Sequence, residues 1–140
     1  MSKVAVVYWS GTGNTEAMAK AVLKGAADKG AETELFTPNE FDAEKLDSFD
    51  AIAFGCPAMG AEELEDTEFL PMFEGLKNKL SGKKIVLFGS YGWGDGEWMR
   101  TWDEECKALG AVLAAESYIC NEAPDDDAIA ACEELGAALV

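Results

Sequence analysis

Residues 6–15 read VVYWSGTGNT, an apolar strand that runs directly into a loop of hydroxyls, glycines and an amide. The sequence beyond the loop is typical of a helix. Backbone N–H groups in such a loop, together with the N-terminus of the following helix, form a ready anion site. The first basic residue after the loop is Lys20, so dipoles and hydrogen bonds alone would neutralise a bound phosphate. The stretch therefore predicts a site for a single phosphate group that stays bound.

Two familiar phosphate-binding motifs do not match this loop. A Walker-type loop needs a lysine that is absent here, and the dinucleotide pattern GxGxxG needs a glycine where the chain has Glu16. A glycine-rich turn can also be no more than a tight connection between strand and helix. Four hydroxyl or amide side chains within six residues favour the anion site instead: Ser10, Thr12, Asn14 and Thr15.

The composition indicates one folded domain over residues 1–140. Hydrophobic residues make up 49% of the chain, which is too many for a disordered protein. The sequence contains no apolar run long enough to cross a membrane and no signal-peptide pattern at its start. We therefore expect a cytoplasmic protein that does not insert into membranes.

Cysteine and histidine usage excludes several kinds of chemistry. The four cysteines form no CxxC pair and the chain has no histidine, so we expect no metal site and reduced, mostly buried thiols. The usual general base near neutral pH is also missing, which argues against hydrolysis. We predict no catalytic residue.

The net charge is −16, from 27 acidic and 11 basic residues. Such a chain is repelled by nucleic acid and by anionic membranes, and it is attracted to basic surfaces of other proteins. The charge can equally serve solubility or adaptation to salt. Charge alone does not choose between these interpretations.

Apolar runs of strand length alternate with amphipathic stretches. Four of these runs predict parallel strands buried on both faces: Val4–Trp9, Ala51–Phe54, Ile85–Phe88 and Val112–Ala115. The partly alternating segment Glu32–Phe36 predicts an edge strand.

Helical spacing of apolar residues is found between these runs. A first helix is predicted from about Asn14 to Lys29, ending near Gly30. Three later sets fall on single helical faces: Phe69, Phe73, Leu76 and Leu80; Trp98, Trp102, Cys106 and Leu109; Ile129, Cys132, Gly136 and Leu139.

Five strands alternating with helices predict an open, doubly wound α/β sheet. In such sheets the ligand binds outside the carboxyl ends of the strands. Three loops rich in glycine follow predicted strand ends, at Ser10–Thr15, Cys56–Glu62 and Ser90–Gly96. We expect these loops to meet at one edge of the sheet.

The second and third loops suit a planar ring. Trp93 stands between glycines, so its neighbours cannot pack it, which favours a stacking role over an ordinary packing role. Met59 is either apolar filling or a polarizable contact under a π-system. A heteroaromatic ring between Trp93 and Met59, with its phosphate at Ser10–Thr15, describes FMN.

Over its whole length the chain resembles a short-chain flavodoxin. The resemblance is carried by Val6–Ala19, which fits the phosphate-loop signature, and by Cys56–Glu62 and Ser90–Arg100, which look like the two flavin loops. It implies a five-stranded parallel sheet of order 2-1-3-4-5 with helices on both faces. It also implies a low-potential one-electron carrier that shuttles mainly between the semiquinone and hydroquinone of bound FMN.

The resemblance also implies a role for individual residues. Met59 and Trp93 would cover the inner and outer faces of the ring, and Glu62 would accept a hydrogen bond from N3–H. Backbone N–H groups of Gly92 to Gly94 would meet O2, and Asn121 would contact the ribityl chain. The implied cofactor-binding residues are Ser10, Gly11, Thr12, Gly13, Asn14, Thr15, Pro57, Ala58, Met59, Gly60, Ala61, Glu62, Ser90, Tyr91, Gly92, Trp93, Gly94, Asp95, Gly96 and Asn121.

Two positions differ from some flavodoxins. Pro57 stands where others have serine, and Ala61 stands where others carry aspartate or serine. A hydroxyl contact near the phosphate or ribityl chain would be missing, and the charge near the ring would change. In the family the Met-Gly peptide, here Met59–Gly60, acts as a redox-linked switch.

The expected partners are ferredoxin-using oxidoreductases with basic docking faces, contacted by a monomer. One alternative is an FMN-dependent quinone or NAD(P)H reductase of related fold, although the tight loops leave little material for a second substrate. A non-redox signalling domain is a second alternative, but the first strand lacks the acidic cluster that receiver domains place after it.

Overall fold

A computed structural model describes residues 2–11, 13–59, 63–92 and 94–140. Its strands are β1 (Lys3–Tyr8), β2 (Glu32–Phe36), β3 (Ala51–Gly55), β4 (Lys84–Tyr91), β5 (Val112–Leu113) and β6 (Tyr118–Asn121). They form a parallel sheet of order β2-β1-β3-β4-β5, in which β6 also pairs with β4. This order confirms the predicted doubly wound sheet.

Within the described residues, five α-helices cover the two faces of the sheet. The helices are α1 (Asn14–Asp28), α2 (Ala43–Leu46), α3 (Phe69–Glu74), α4 (Glu97–Ala108) and α5 (Asp126–Ala138). Two 3₁₀ turns lie at Pro38–Glu40 and Lys77–Lys79. The first helix matches its prediction closely, and Gly30 beyond it has the positive φ (94°) that a helix end requires.

The strand residues divide between two cores because successive side chains point to opposite faces. Val4 and Val6 pack with Met18 and Val22 of α1 and with Cys132 of α5. On the other face, residues from β1, β3 and β4 pack with α3 and α4. That core includes Ala5, Val7, Ile52, Phe54, Phe69, Phe73, Trp98 and Trp102.

The predicted fifth strand, Val112–Ala115, is wrong in its extent. Only Val112–Leu113 pair with the start of β4, and Val112 is half-exposed. The chain then leaves the sheet through Glu116 and Ser117, whose hydroxyl donates to Asp103 at 2.6 Å. It returns as β6, which pairs with Phe88–Tyr91 at the end of β4. Two short strands therefore share the position for which one was predicted.

The predicted helical face at residues 69–80 is also interrupted. The α-helix ends at Glu74, and a 3₁₀ turn follows at Lys77–Lys79. Because the backbone changes only its winding, Phe69, Phe73, Leu76 and Leu80 are nevertheless all completely buried. The apolar pattern therefore predicted the buried residues correctly but not the length of the helix.

Helices α1 and α5 approach each other through two glycines. A Cβ built on Gly25 would lie 1.9 Å from the carbonyl oxygen of Glu133. A Cβ on Gly136 would lie 1.9 Å from the carbonyl oxygen of Val22. These distances leave no room for any side chain, so this helix pair depends on both glycines.

In the part of the chain that the structure describes, no helix combines the length and the apolar character needed to span a lipid bilayer.

Candidate functional site

The three predicted loops meet at the carboxyl edge of the sheet, around a groove of about 220 Å³. Each loop contributes residues to its lining. The described lining residues are Trp9, Gly11, Asn14, Pro57, Ala58, Met59, Ser90, Tyr91, Gly92 and Glu122. The structure thus brings together eight of the predicted site residues and adds Trp9 and Glu122.

The first loop leads into α1 through a left-handed residue. Gly13 precedes the helix with φ 94°, and its N–H donates to Ser10 Oγ at 3.0 Å. This bond shapes the turn and leaves the N–H groups at the start of α1 directed outward from the helix. Thr12 lies outside the described residues.

Thr15, in the first turn of α1, carries a buried hydroxyl for which the described part of the chain offers no partner. Its side chain is 1% exposed, and Oγ1 has no hydrogen bond to any described residue. Leaving such a group unpaired costs about 1–3 kcal/mol. A phosphate oxygen would pair it, and FMN carries such a phosphate. The residues present therefore fit the phosphate of FMN.

The second loop is fixed against the third by backbone hydrogen bonds. The N–H of Ala58 donates to the carbonyl of Ser90 at 3.1 Å. Met59 exchanges two bonds of 2.9 Å with Glu63, and its side chain stays 37% exposed on the groove. Three further predicted residues of this loop, Gly60, Ala61 and Glu62, lie outside the described residues, as does Trp93 of the third loop.

The end of β4 is tied to β6 by side chains that were predicted to meet the cofactor. Ser90 Oγ donates to the carbonyl of Glu122 at 2.7 Å. Asn121 Nδ2 donates to the carbonyl of Tyr91 at 3.2 Å, to which the N–H of Glu122 also donates. Glu122 has a positive φ of 59°, so these bonds hold a strained backbone beside the groove.

Gly94, Asp95 and Gly96 form the approach to α4. Gly94 and Gly96 have positive φ, and the Gly96 carbonyl accepts from the N–H groups of Met99 and Arg100. Asp95 pairs with the Arg100 guanidinium at 3.1 Å. Among the described residues these three do not line the groove.

Trp9 was not predicted as a site residue, although it directly follows β1. Its N–H donates to the Gly55 carbonyl at 3.0 Å. A Cβ added to Gly11 would lie 3.1 Å from the indole ring, so glycine lets the ring lie over the first loop. Its position after a strand that ends at the ligand edge is the sequence signal for this role.

Glu65, beyond the second loop, is a further residue that the sequence did not single out. It is a buried carboxylate, 4% exposed. Burial tends to raise the pKa of this carboxyl, but hydrogen bonds from Thr67, Phe69 and Glu68 outweigh burial and lower the pKa below its ordinary value.

This shift makes stability depend on pH. Because the folded pKa of Glu65 is lowered, its stabilisation is present above the unfolded pKa and is lost as pH falls through the folded pKa. We expect Glu65→Gln to lower the free energy of unfolding at neutral pH and to flatten its decline in acid. Urea unfolding over a pH series measures both effects. An equally steep decline of the free energy of unfolding in acid, in the natural protein and in Glu65→Gln, would contradict this account.

The cysteines match the expectation of free, mostly buried thiols. Cys56, Cys106 and Cys132 are buried, and burial raises the pKa of each to about 12. Cys120 is half-buried. Such thiols stay protonated at neutral pH and are poor nucleophiles.

Comparison with known proteins gives the family. The Flavodoxin family model matches residues 6–136. The chain is 47% identical to the flavodoxin of Megasphaera elsdenii, over 96% of each chain, and 44% identical to that of Clostridium beijerinckii, over 94% of each. The solution structure of two-electron reduced Megasphaera elsdenii flavodoxin superposes with a TM-score of 0.89, covering 97% of both chains. The chain therefore belongs to the flavodoxin family, whose members are FMN-binding electron carriers.

Proposed function

We propose that the groove formed by the three loops holds FMN and that the protein passes single electrons between partner proteins without turning over a substrate of its own. The observation that carries the proposal is the buried hydroxyl of Thr15, which has no partner among the described residues and directly follows the groove residue Asn14. Bound FMN supplies the one-electron redox chemistry. The chain binds it, orients it and shields it from water.

At the phosphate end we assign binding to Ser10, Thr12, Asn14 and Thr15, with the backbone of Gly11 and Gly13. The N-terminus of α1 favours a negative charge there. Glu16 stands in the first turn, and its carboxylate accepts from the Tyr8 hydroxyl at 3.1 Å. The Glu16 carboxylate, a negative charge near the phosphate end, is thus hydrogen-bonded to Tyr8.

At the ring end we assign one face to Met59 and the other to Trp93. Pro57, Ala58 and Tyr91 add walls to the groove. Glu62 and the backbone of Gly92–Gly94 would meet the polar edge of the ring, with Gly60 and Ala61 completing the second loop. The backbone around the ring would be held in place by the remaining predicted residues, which are Ser90, Gly94, Asp95, Gly96 and Asn121.

The surface charge supports electron transfer to basic partners. A net charge of −16 draws the protein toward basic docking faces, and ferredoxin-using oxidoreductases are the partners we propose. We further propose that residues 1–140 act as one cytoplasmic, monomeric FMN domain. The alternative reductase function is not favoured by the family assignment.

Titration of the apoprotein with FMN, riboflavin and inorganic phosphate tests the proposal. We expect FMN to bind most tightly, because riboflavin lacks the phosphate and phosphate lacks the ring. A separate assay of NADH and NADPH oxidation by the loaded protein tests for substrate turnover. Equal affinities for riboflavin and FMN would contradict the phosphate site, and rapid turnover would restore the reductase alternative.

A further inference from the structure

Glu65 is a buried acidic side chain that lies outside the groove. Among the described residues only Thr15 and Ser90 share its combination of polarity and burial, and both belong to the site already described. A buried carboxylate is costly unless it is well paired. Its partners therefore indicate what the charge is used for.

The carboxylate caps the start of α3. Oε1 accepts from the N–H groups of Glu68 at 2.7 Å and Phe69 at 2.8 Å. Oε2 accepts from the N–H of Thr67 at 2.9 Å and from the Thr67 hydroxyl. Glu68, which directly precedes the helix, makes no side-chain cap of its own. Glu65 thus supplies the cap from three residues upstream.

The backbone of Glu65 contacts the other end of the second loop. Its N–H donates to Cys56 Sγ at 3.4 Å. Cys56 is completely buried, and its carbonyl accepts from Trp98 Nε1 at 3.1 Å. The residue that returns from the loop is therefore bonded to the residue that begins it.

Within this closure lies the pair of Met59 and Glu63, which exchange two backbone bonds of 2.9 Å. The segment from Cys56 to Glu65 is thus closed twice, once at its base and once beside Met59. Helix α3, which the carboxylate holds, is anchored in the core by Phe69 and Phe73, both completely buried. A continuous set of contacts links Met59 to the core through Glu65.

We propose that Glu65 is a positioning residue for the ring end of the cofactor groove. Its carboxylate fixes the segment that follows the second loop, residues 63–65, to the start of α3. This inference rests on the proposed FMN site. None of the hydrogen bonds that the structure describes for Glu65 involves the Ser10–Thr15 loop. Loss of the carboxylate should therefore weaken contacts to the ring and leave contacts to the phosphate unchanged.

The test measures dissociation constants of the apoproteins for FMN and riboflavin by quenching of flavin fluorescence. In Glu65→Gln we expect both affinities to fall by about tenfold, since roughly one charged hydrogen bond is lost. The ratio of the two affinities should stay at its natural value. Glu65→Asp keeps the charge and should restore part of the loss.

Asp66→Asn is the matched control, because it removes one exposed negative charge from the neighbouring residue. It should leave both affinities unchanged. Cys56→Ala provides a second test if Glu65→Gln does not fold. It removes the sulfur acceptor and keeps the carboxylate, and it should lower the affinities for FMN and riboflavin by the same factor.

Three outcomes would overturn the inference. In the first, Glu65→Gln, or Cys56→Ala in its place, is less stable but binds both ligands with the affinity of the natural protein. Glu65 would then have a purely structural role. The variant could lose affinity for FMN alone, which places the effect at the phosphate. Asp66→Asn could weaken binding equally, which makes the effect one of charge. Failure of the natural apoprotein to bind FMN would instead refute the proposed function, so the two are distinguishable.

Discussion

Thr15→Val is expected to weaken FMN binding by about 10- to 100-fold, the loss of one hydrogen bond to a charged phosphate. The same change should leave the apoprotein at least as stable as the natural chain. The Thr15 hydroxyl is buried without a partner among the described residues, and valine replaces it with a methyl group that needs none. Most substitutions of buried residues destabilise the fold, so this opposite pair of effects is diagnostic.

Urea unfolding of the apoprotein and titration with FMN measure the two effects of Thr15→Val separately. Thr15→Ser, which keeps the hydroxyl, should retain most of the affinity. Thr101→Val is a control for the exchange itself, because Thr101 is exposed on α4. If Thr15→Val bound FMN as tightly as the natural protein, the Thr15 hydroxyl would not be part of the phosphate site.

Gly25→Ala should destabilise the protein by about 3 kcal/mol, the upper part of the usual range for overpacking. The new Cβ would lie 1.9 Å from the carbonyl oxygen of Glu133. That atom belongs to the backbone of α5, so the two helices must move apart and loosen the core that Met18 and Val22 form with Cys132. In a free helix the same change is stabilising by up to about 1 kcal/mol.

Gly75→Ala is the matched control for Gly25→Ala. Gly75 is exposed, has φ −68°, and its added Cβ would approach no atom closer than 3.3 Å. This variant should be neutral or slightly stabilising. Urea unfolding measures both variants, and a loss of less than 1 kcal/mol in Gly25→Ala, on the scale of ordinary surface changes, would refute the tight helix contact.

The sheet was largely predictable because apolar strands buried on both faces leave an unambiguous pattern. The edge strand Glu32–Phe36 was predicted with its observed ends. The fifth position was not, since Val112–Ala115 is as apolar as a central strand. Its interruption depends on Glu116 and Ser117 and on the contact with Asp103, which only the packed structure brings together.

The location of the site was also predictable, because parallel strands of one sheet carry their following loops to the same edge. The use of individual side chains was not. Ser90 and Asn121 are polar residues in the right loops, yet their hydrogen bonds tie β6 to β4. Glu65 resembles any other acidic residue of its segment, and its burial follows from Cys56 and the start of α3.

Stepwise anaerobic reduction of the FMN-loaded protein, followed by its visible spectrum and potential, tests the proposed carrier function most directly. We expect two separate one-electron steps, the second at low potential, because the acidic protein disfavours a further negative charge on the ring. A single two-electron step, with no separation between the potentials, would contradict a one-electron carrier.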